Sequence, residues 1–240
     1  MSAAPTSAPP ARSARAPRSD GEQSRERLLQ AALALFADRG FASTSTREIA
    51  EAAGTNVAAI AYYFGDKAGL YRAVFLEPMG DPAEEIARFA APGLSLADAL
   101  RGLYLGFVEP LRDGEATRQC MKLHMREMVE PTGLWQHEIE QVIRPQHVAL
   151  VGVLTRALGL PAPDDEVDRL AICVAALGIH LHVARDVTDT IAPALLHGEA
   201  AFDRWLDALV RFGLAMVEAE RQRRAAAPAA PRAPQPEPDR

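Results

Sequence analysis

The chain has 240 residues, 48% of them hydrophobic and 24% charged, with a formal net charge of −6 at pH 7 and two cysteines. This is enough apolar content for one large or two smaller globular domains, and it excludes a disulfide-stapled scaffold and a chain too polar to bury a core. Alanine is abundant and β-branched runs are scarce, which favours helix over strand.

Charge is unevenly distributed. Residues 1–75 hold nine Lys/Arg against seven Asp/Glu, a net of +2, which leaves −8 for the rest. A slightly basic head on an acidic body suits a polyanion reader whose other part must stay off phosphates. Residues 1–20 are rich in Ala, Pro, Ser and Arg, with no acid before Asp20. They read as a disordered basic arm, although an organelle transit peptide shares that composition. Arg12, Arg15 and Arg18 could track a minor groove or a phosphate backbone, or form a solvated leader. No secretory signal core is present.

Helical periodicity begins with Leu28, Leu29, Ala32, Leu33, Leu35 and Phe36, and Gly40 follows as a stop, so the first helix runs over 22–39. Ser45-Thr46-Arg47-Glu48 is a capping box that opens a short helix to Ala53. Gly54 ends it, Asn56 caps the next helix through Phe64, and Asp66 caps a fourth from Lys67. A tight turn between the second and third of these is the helix-turn-helix arrangement. Longer helices are expected over 82–90, 95–112, 115–130, 134–159, 164–185 and 200–224, with Pro145 bending or breaking the one that contains it. Leu170 to Ala184, the longest mainly apolar stretch, carries His180 and His182 and is too short for a bilayer. The segment from Ala225 reads as a disordered tail. The expected organisation is therefore a basic arm (1–20), a helix-turn-helix domain (21–75), a larger helical domain (76–224) and a tail (225–240), all-α throughout.

The run from Thr44 to Tyr71 carries the chemistry. Ile49, Ala50, Ala53, Ile60 and Phe64 form an inner face whose alanines let two helices approach closely. Val57, Ala58, Ala59, Tyr62 and Tyr63 lie on the other face of the later helix. Small residues beside two tyrosines make an odd solvated surface and a good one for a major groove, where methyls meet thymine methyls and phenols meet phosphates or base edges. Lys67, beside the open amides of a helix start, suits a phosphate.

With these residues in view, the segment from about Arg25 to Phe75 resembles the N-terminal domain of TetR-family repressors. Arg126-Glu127 before Pro131, and Arg144-Pro145, resemble that family's CecR/YbiH branch. The resemblance implies a phosphate contact for Thr46 and a guanine contact from Arg47. It puts Val57, Ala58 and Ala59 at the base-facing start of a recognition helix, Tyr62 and Tyr63 on the groove wall and Lys67 on a phosphate. Thr44 and Asn56 complete the expected DNA-binding set. Two alanines leave few hydrogen bonds to bases, so Arg47, Asn56 and Tyr62 would carry direct readout, with DNA shape contributing. Ala61 departs from the family, where Tyr is common. Tyr71 is expected to pack between the two domains.

One helix-turn-helix reads few base pairs, so a homodimer on a palindromic operator is expected. The stripe on helix 200–224, with Phe202, Trp205, Leu209 and Met216, suits a dimer interface, packing within its own chain, or both, and helix 164–185 is the expected second interface element. The resemblance implies a four-helix bundle. It implies also a small-molecule effector, for which Tyr104, Phe107, His124, Glu127, Met128, Trp135 and His180 are the candidate contacts, each with the alternative of an ordinary core or surface residue. Met121, Met125 and Met128 could line an adaptable pocket or be plain core. No cofactor, metal site, membrane contact or catalytic constellation is expected. The expected function is a ligand-responsive, DNA-binding repressor in the cytoplasm, at the bacterial nucleoid when bound. The alternative is a helical interaction module that keeps the fold without reading DNA.

Overall fold

The computed structural model describes residues 20–76, 81–112, 115–197 and 200–226. The expected arm, with Arg12, Arg15 and Arg18, and the tail beyond residue 226 lie outside them. Among the described residues every regular element is a helix, in the order α1 (Asp20–Arg39), α2 (Thr46–Ala52), α3 (Val57–Phe64), α4 (Lys67–Leu76), α5 (Pro82–Ala90), α6 (Leu96–Arg112), α7 (Glu115–Val129), α8 (Leu134–Glu138), α9 (Arg144–Ala157), α10 (Asp165–Val183), α11 (Arg185–Ile191) and α12 (Ala201–Ala226).

The starts follow local chemistry. Asp81 and Asp164 accept the backbone N–H of Ala83 and Val167 and so cap α5 and α10, with further acids in each first turn at the positive helix end. Two departures from the expected elements have physical causes. Helix 134–159 is not broken at Pro145. The backbone widens into a π-helical turn over Ile139–Ile143, so Pro145 falls in the first turn of α9, where a missing N–H leaves no gap in the ladder. The helix that follows α10 was not expected. Its sequence RDVTDTI is a poor helix former, and two threonines bond back to the carbonyls of Ala184 and Asp186.

Two cores form. Leu28, Phe36, Ile49, Ile60, Leu70, Tyr71 and Phe75 of α1–α4 bury one another, and Leu123 of α7 joins them. Leu100, Tyr104 and Val108 of α6 centre the second core, with Leu154, Val174, Leu206, Leu209 and Val217 from α9, α10 and α12. α7 lies along α1, tied by Lys122 to the Asp38 carboxylate at 3.1 Å and by Arg126 to the Asp38 carbonyl at 2.9 Å. No single described helix is long and apolar enough to cross a membrane; α10 and α11 together pass by length and composition but are bent by 70°.

Candidate nucleic-acid interface

The reading surface is assembled from two caps and a crossing. The Ser45 hydroxyl accepts the Glu48 N–H at 3.2 Å, and the Glu48 carboxylate takes the Ser45 N–H at 2.9 Å, so both halves of the capping box are made. Hydrogen bonds from the Ser45 hydroxyl and amide, then Arg39 at 3.0 Å, hold the Glu48 carboxyl below its usual range. This fixes Thr46 and Arg47 on the first turn of α2, Thr46 half-buried and Arg47 exposed. The Asn56 Oδ1 accepts the Ala58 N–H at 2.9 Å and starts α3. Gly65, at φ +82°, turns the chain into α4. α4 then returns so close that a Cβ on Gly69 would lie 2.0 Å from the Phe64 carbonyl oxygen. Gly69 therefore sets how α3 and α4 cross, a role the sequence reading did not assign.

With Ile60 buried and Ala59, Tyr63 and Phe64 packed on the core, the outward face of α3 is Val57, Ala58, Ala61 and Tyr62. Tyr62 is 82% exposed, with its ring edge-on to Tyr63 at 4.8 Å. The Lys67 ammonium sits 4.4 Å over the Phe41 ring, half-buried beside this face. Arg47 on α2 and Val57, Ala58 and Tyr62 on α3 are exposed, and Lys67 is half-buried at the start of α4. Ala61 joins them, recognisable by its helical spacing from Val57 and Ala58.

One expected DNA contact is corrected. Thr44 is 1% exposed, and its hydroxyl donates to the carbonyls of Gly40 at 2.9 Å and Leu35 at 3.3 Å; it closes the end of α1 and cannot reach a duplex. Ala59, like Tyr63, is half-buried against the core. Asn56 is exposed, but its carbonyl oxygen is committed to the cap, leaving its amide N–H groups for any base.

The seven candidate effector contacts do not converge. Tyr104 is fully buried, and its hydroxyl donates to the Val174 carbonyl at 3.0 Å. Burial raises that phenol far above its ordinary range. Phe107 packs on the same core, with its carbonyl taking a hydrogen bond from His182 at 2.8 Å. Glu127 is 0% exposed but fully occupied. It accepts Tyr71 Oη at 2.8 Å, the Thr132 N–H at 2.7 Å, the Thr132 hydroxyl at 2.9 Å and the Leu134 N–H at 3.1 Å. This bonds α4 to the α7–α8 turn, and Tyr71 packs at the junction as expected. Trp135 packs on the N-terminal core beside it. Met128 and His180 are exposed. An open cleft of about 770 Å³ between α1, α7 and α10–α11 is lined by Leu35, Asp38, Arg118, Met121, Lys122, Met125 and Arg185 among others, and by none of the seven.

On the expected dimer helices, Phe202, Trp205 and Met216 are half-buried, while Leu209 is 2% exposed and faces the core of its own chain. The outward apolar positions lie one step round: Ile172, Ala176, Ile179 and Val183 on α10, and Phe212 and Ala215 on α12.

Residues 28–74 match the sequence profile of bacterial regulatory proteins of the tetR family, and residues 96–217 match the C-terminal domain of the HTH-type transcriptional dual regulator CecR. The chain is 39% identical over 155 residues to the HTH-type transcriptional dual regulator CecR of Shigella flexneri, covering 60% of this chain and 69% of that protein. Over 46 residues it is 48% identical to the probable HTH-type transcriptional regulator YttP of Bacillus subtilis, 19% of this chain and 22% of that one. Among solved structures, a tetR-family regulatory protein from Rhodococcus RHA1 superposes with a TM-score of 0.60 at 20% identity, over 81% of this chain and 96% of that one. The hemolysin II transcriptional regulator HlyIIR superposes with a TM-score of 0.54 at 20% identity, over 80% and 99%. The structural likenesses speak to the fold alone.

Proposed function

Because this chain belongs to the TetR family of bacterial transcription regulators, with a C-terminal domain of the CecR type, we propose that it is a ligand-responsive repressor that grips a palindromic operator as a homodimer. Each copy lays α3 in a major groove. Val57, Ala58 and Ala61 let the helix sit deep and touch thymine methyls, Arg47 and Tyr62 reach base edges or the groove wall, and Thr46, Tyr63 and Lys67 take phosphates. The observation that carries this reading is the 82% exposure of the Tyr62 ring on a short helix whose opposite face is wedged into a core. A large aromatic gains nothing from water there and gains contact area from a duplex.

Two half-sites need two copies. The α10 and α12 stripes, with Phe202, Trp205 and Met216 at their flanks, support pairing through a four-helix bundle. An effector that favours one dimer geometry would move the two α3 helices off the operator spacing. The expected setting is the cytoplasm, at the nucleoid when DNA is bound.

The test is a gel shift on DNA flanking the protein's own gene, at about 0.1 M salt so that electrostatic contacts are not masked. Wild type binds a palindromic site there. Tyr62→Ala and Arg47→Ala lose about tenfold or more while keeping the wild-type Tm, and Phe212→Glu runs as a monomer in light scattering and binds weakly. Failure of the wild type to select any such site, or unchanged affinity in both α3-face variants, would return the chain to the interaction-module reading.

A further inference from the structure

Glu138 ends α8 at the point where the π-helical turn begins. Such turns shift the helical register by one residue and re-aim side chains. Its side chain is 1% exposed, and among the described residues its Oε2 has no hydrogen-bond partner. A buried carboxylate in that condition destabilises a fold unless something answers it. A second carboxylate, Glu85 of α5, lies close enough for its charge to act on Glu138. Burial first, then Glu85, pushes the Glu138 carboxyl above its ordinary range. Burial raises Glu85 as well, against the nearby Arg88 and a hydrogen bond donated by Gln146 at 2.5 Å. No Lys or Arg of the described chain acts on Glu138 in the same way.

The neighbouring face of α7 is also short of donors. His124 is 5% exposed. Its Nδ1 lies 2.8 Å from the Cys120 carbonyl oxygen, which can only accept, so Nδ1 carries the proton. Burial holds the imidazole below its ordinary range and therefore neutral. Nε2 is then a bare acceptor, buried and without a partner. Cys120, one turn away on α7, feels the charge of Glu138, so these groups belong to one neighbourhood. They do not gather as a metal-ligand set among the described residues.

We infer that the layer formed by α5, α7, α8 and the start of α9 holds a seat for the head of a protonated amine, between the carboxylates of Glu138 and Glu85. The seat presents acceptors that call for a ligand combining positive charge with several N–H donors. A primary ammonium has three. The inference rests on the ligand-responsive reading above and names the chemical class of that ligand.

The test uses full-length dimer and matched amine and alcohol pairs: phenethylamine with 2-phenylethanol, hexylamine with hexanol, and cyclohexylmethylamine with cyclohexylmethanol. Binding is read by ligand-observed NMR and calorimetry. For at least one pair the amine should bind about tenfold or more tightly than its alcohol, as charge-assisted hydrogen bonds dictate. Glu138→Gln should level that pair and raise the Tm of the unliganded protein. Glu85→Gln should narrow the preference and serves as the reporter if Glu138→Gln does not fold. The inference is overturned if no amine binds at about 10 mM, the range of weak fragments, or if the preference survives both variants. Gel shifts run in parallel separate the two readings. Promoter binding by wild type without any amine preference sinks the seat alone, and a Glu138-dependent preference without promoter binding sinks the regulator alone.

Discussion

The Tyr71–Glu127 bond permits a quantitative test of how the two cores are joined. Tyr71→Phe removes one donor from a carboxylate that is 0% exposed and keeps three others, from Thr132 and Leu134. The ring keeps its edge contact with Phe36 at 4.9 Å. A hydrogen bond to a buried charged acceptor contributes about 1.5–3 kcal/mol. Part is offset because the phenol, whose ionisation is pushed far up by burial and then by Glu127, no longer has to be desolvated. The expected loss is therefore about 1.5–2 kcal/mol, a fall of about 3–8 °C in Tm for a chain of this size. Glu127→Gln keeps the shape but turns an NH₂ towards groups that themselves donate, so its loss is about 3–5 kcal/mol. The double variant should recover about 1 kcal/mol or more of the summed losses, because its second change removes a donor already without an acceptor. Urea unfolding at fixed protein concentration measures all four corners of the cycle. A coupling energy below about 0.5 kcal/mol would refute the reasoning, since contacting residues in one network exceed that.

Four further outcomes follow from the geometry. Thr44→Val should destabilise by about 1–2 kcal/mol through the lost hydroxyl bonds to Gly40 and Leu35, and leave operator affinity unchanged under conditions where both proteins are folded; a loss of affinity there would restore Thr44 as a DNA contact. Lys67→Gln should lower the salt slope of operator binding by about one and lose about 0.5–1 kcal/mol of contact with Phe41, both readable by titrating salt and urea separately. Burial holds His124 below its ordinary value of 6.5, so folding expels a proton and stability falls as pH drops below 6.5; His124→Phe, which keeps the stack on Phe75, should flatten the unfolding profile between pH 7 and 5, and an unchanged slope would mean the imidazole charges freely. Burial pushes the Cys120 thiol up to about 11, whereas Cys173 is exposed, so iodoacetamide at pH 8 should modify Cys173 within minutes and leave Cys120 largely unmodified by mass spectrometry.

Much of this was legible from spacing alone. The capping box at Ser45, the caps at Asn56 and Asp66 and the apolar periodicity of α1 are local features, and local hydrogen-bond chemistry produced them in the fold. What periodicity does not encode is which side of an apolar helix meets its own chain. Leu209 and Phe212 are both apolar residues of α12. Leu209 turns to the core and Phe212 to the outside because α6 lies on one side of that helix. Thr44 failed for a related reason. Thr44 completes the expected DNA-binding set by its place beside the helix-turn-helix, and only the folded end of α1 reveals two carbonyls waiting for its hydroxyl. The buried polar groups were noticed one by one, yet whether each is satisfied depends on partners far along the chain. Glu127 and Glu138 are eleven positions apart and both buried, one with four donors and the other with an unanswered oxygen. Glu138 drew no attention because nothing in LWQHEIEQVI announces a π turn.

α7 connects these observations mechanically. Leu123 is buried in the N-terminal core, Lys122 and Arg126 hold Asp38 at the end of α1, and Glu127 holds Tyr71 on α4. His124 stacks on Phe75 at 4.2 Å on one side, and through Cys120 its neighbourhood meets the field of Glu138 on the other. Packed interiors shift between discrete arrangements rather than deform smoothly. A charged head that drew α8 and α7 together would therefore move Leu123, Glu127 and His124 as a unit. α1 and α4 would follow, and α3 with them, because Gly69 leaves no slack between the end of α3 and the start of α4. The bonds that α7 makes to Asp38 and Tyr71, with the packing of Leu123 and His124, lie between Glu138 and the face that carries Tyr62, and each can be cut by a single substitution.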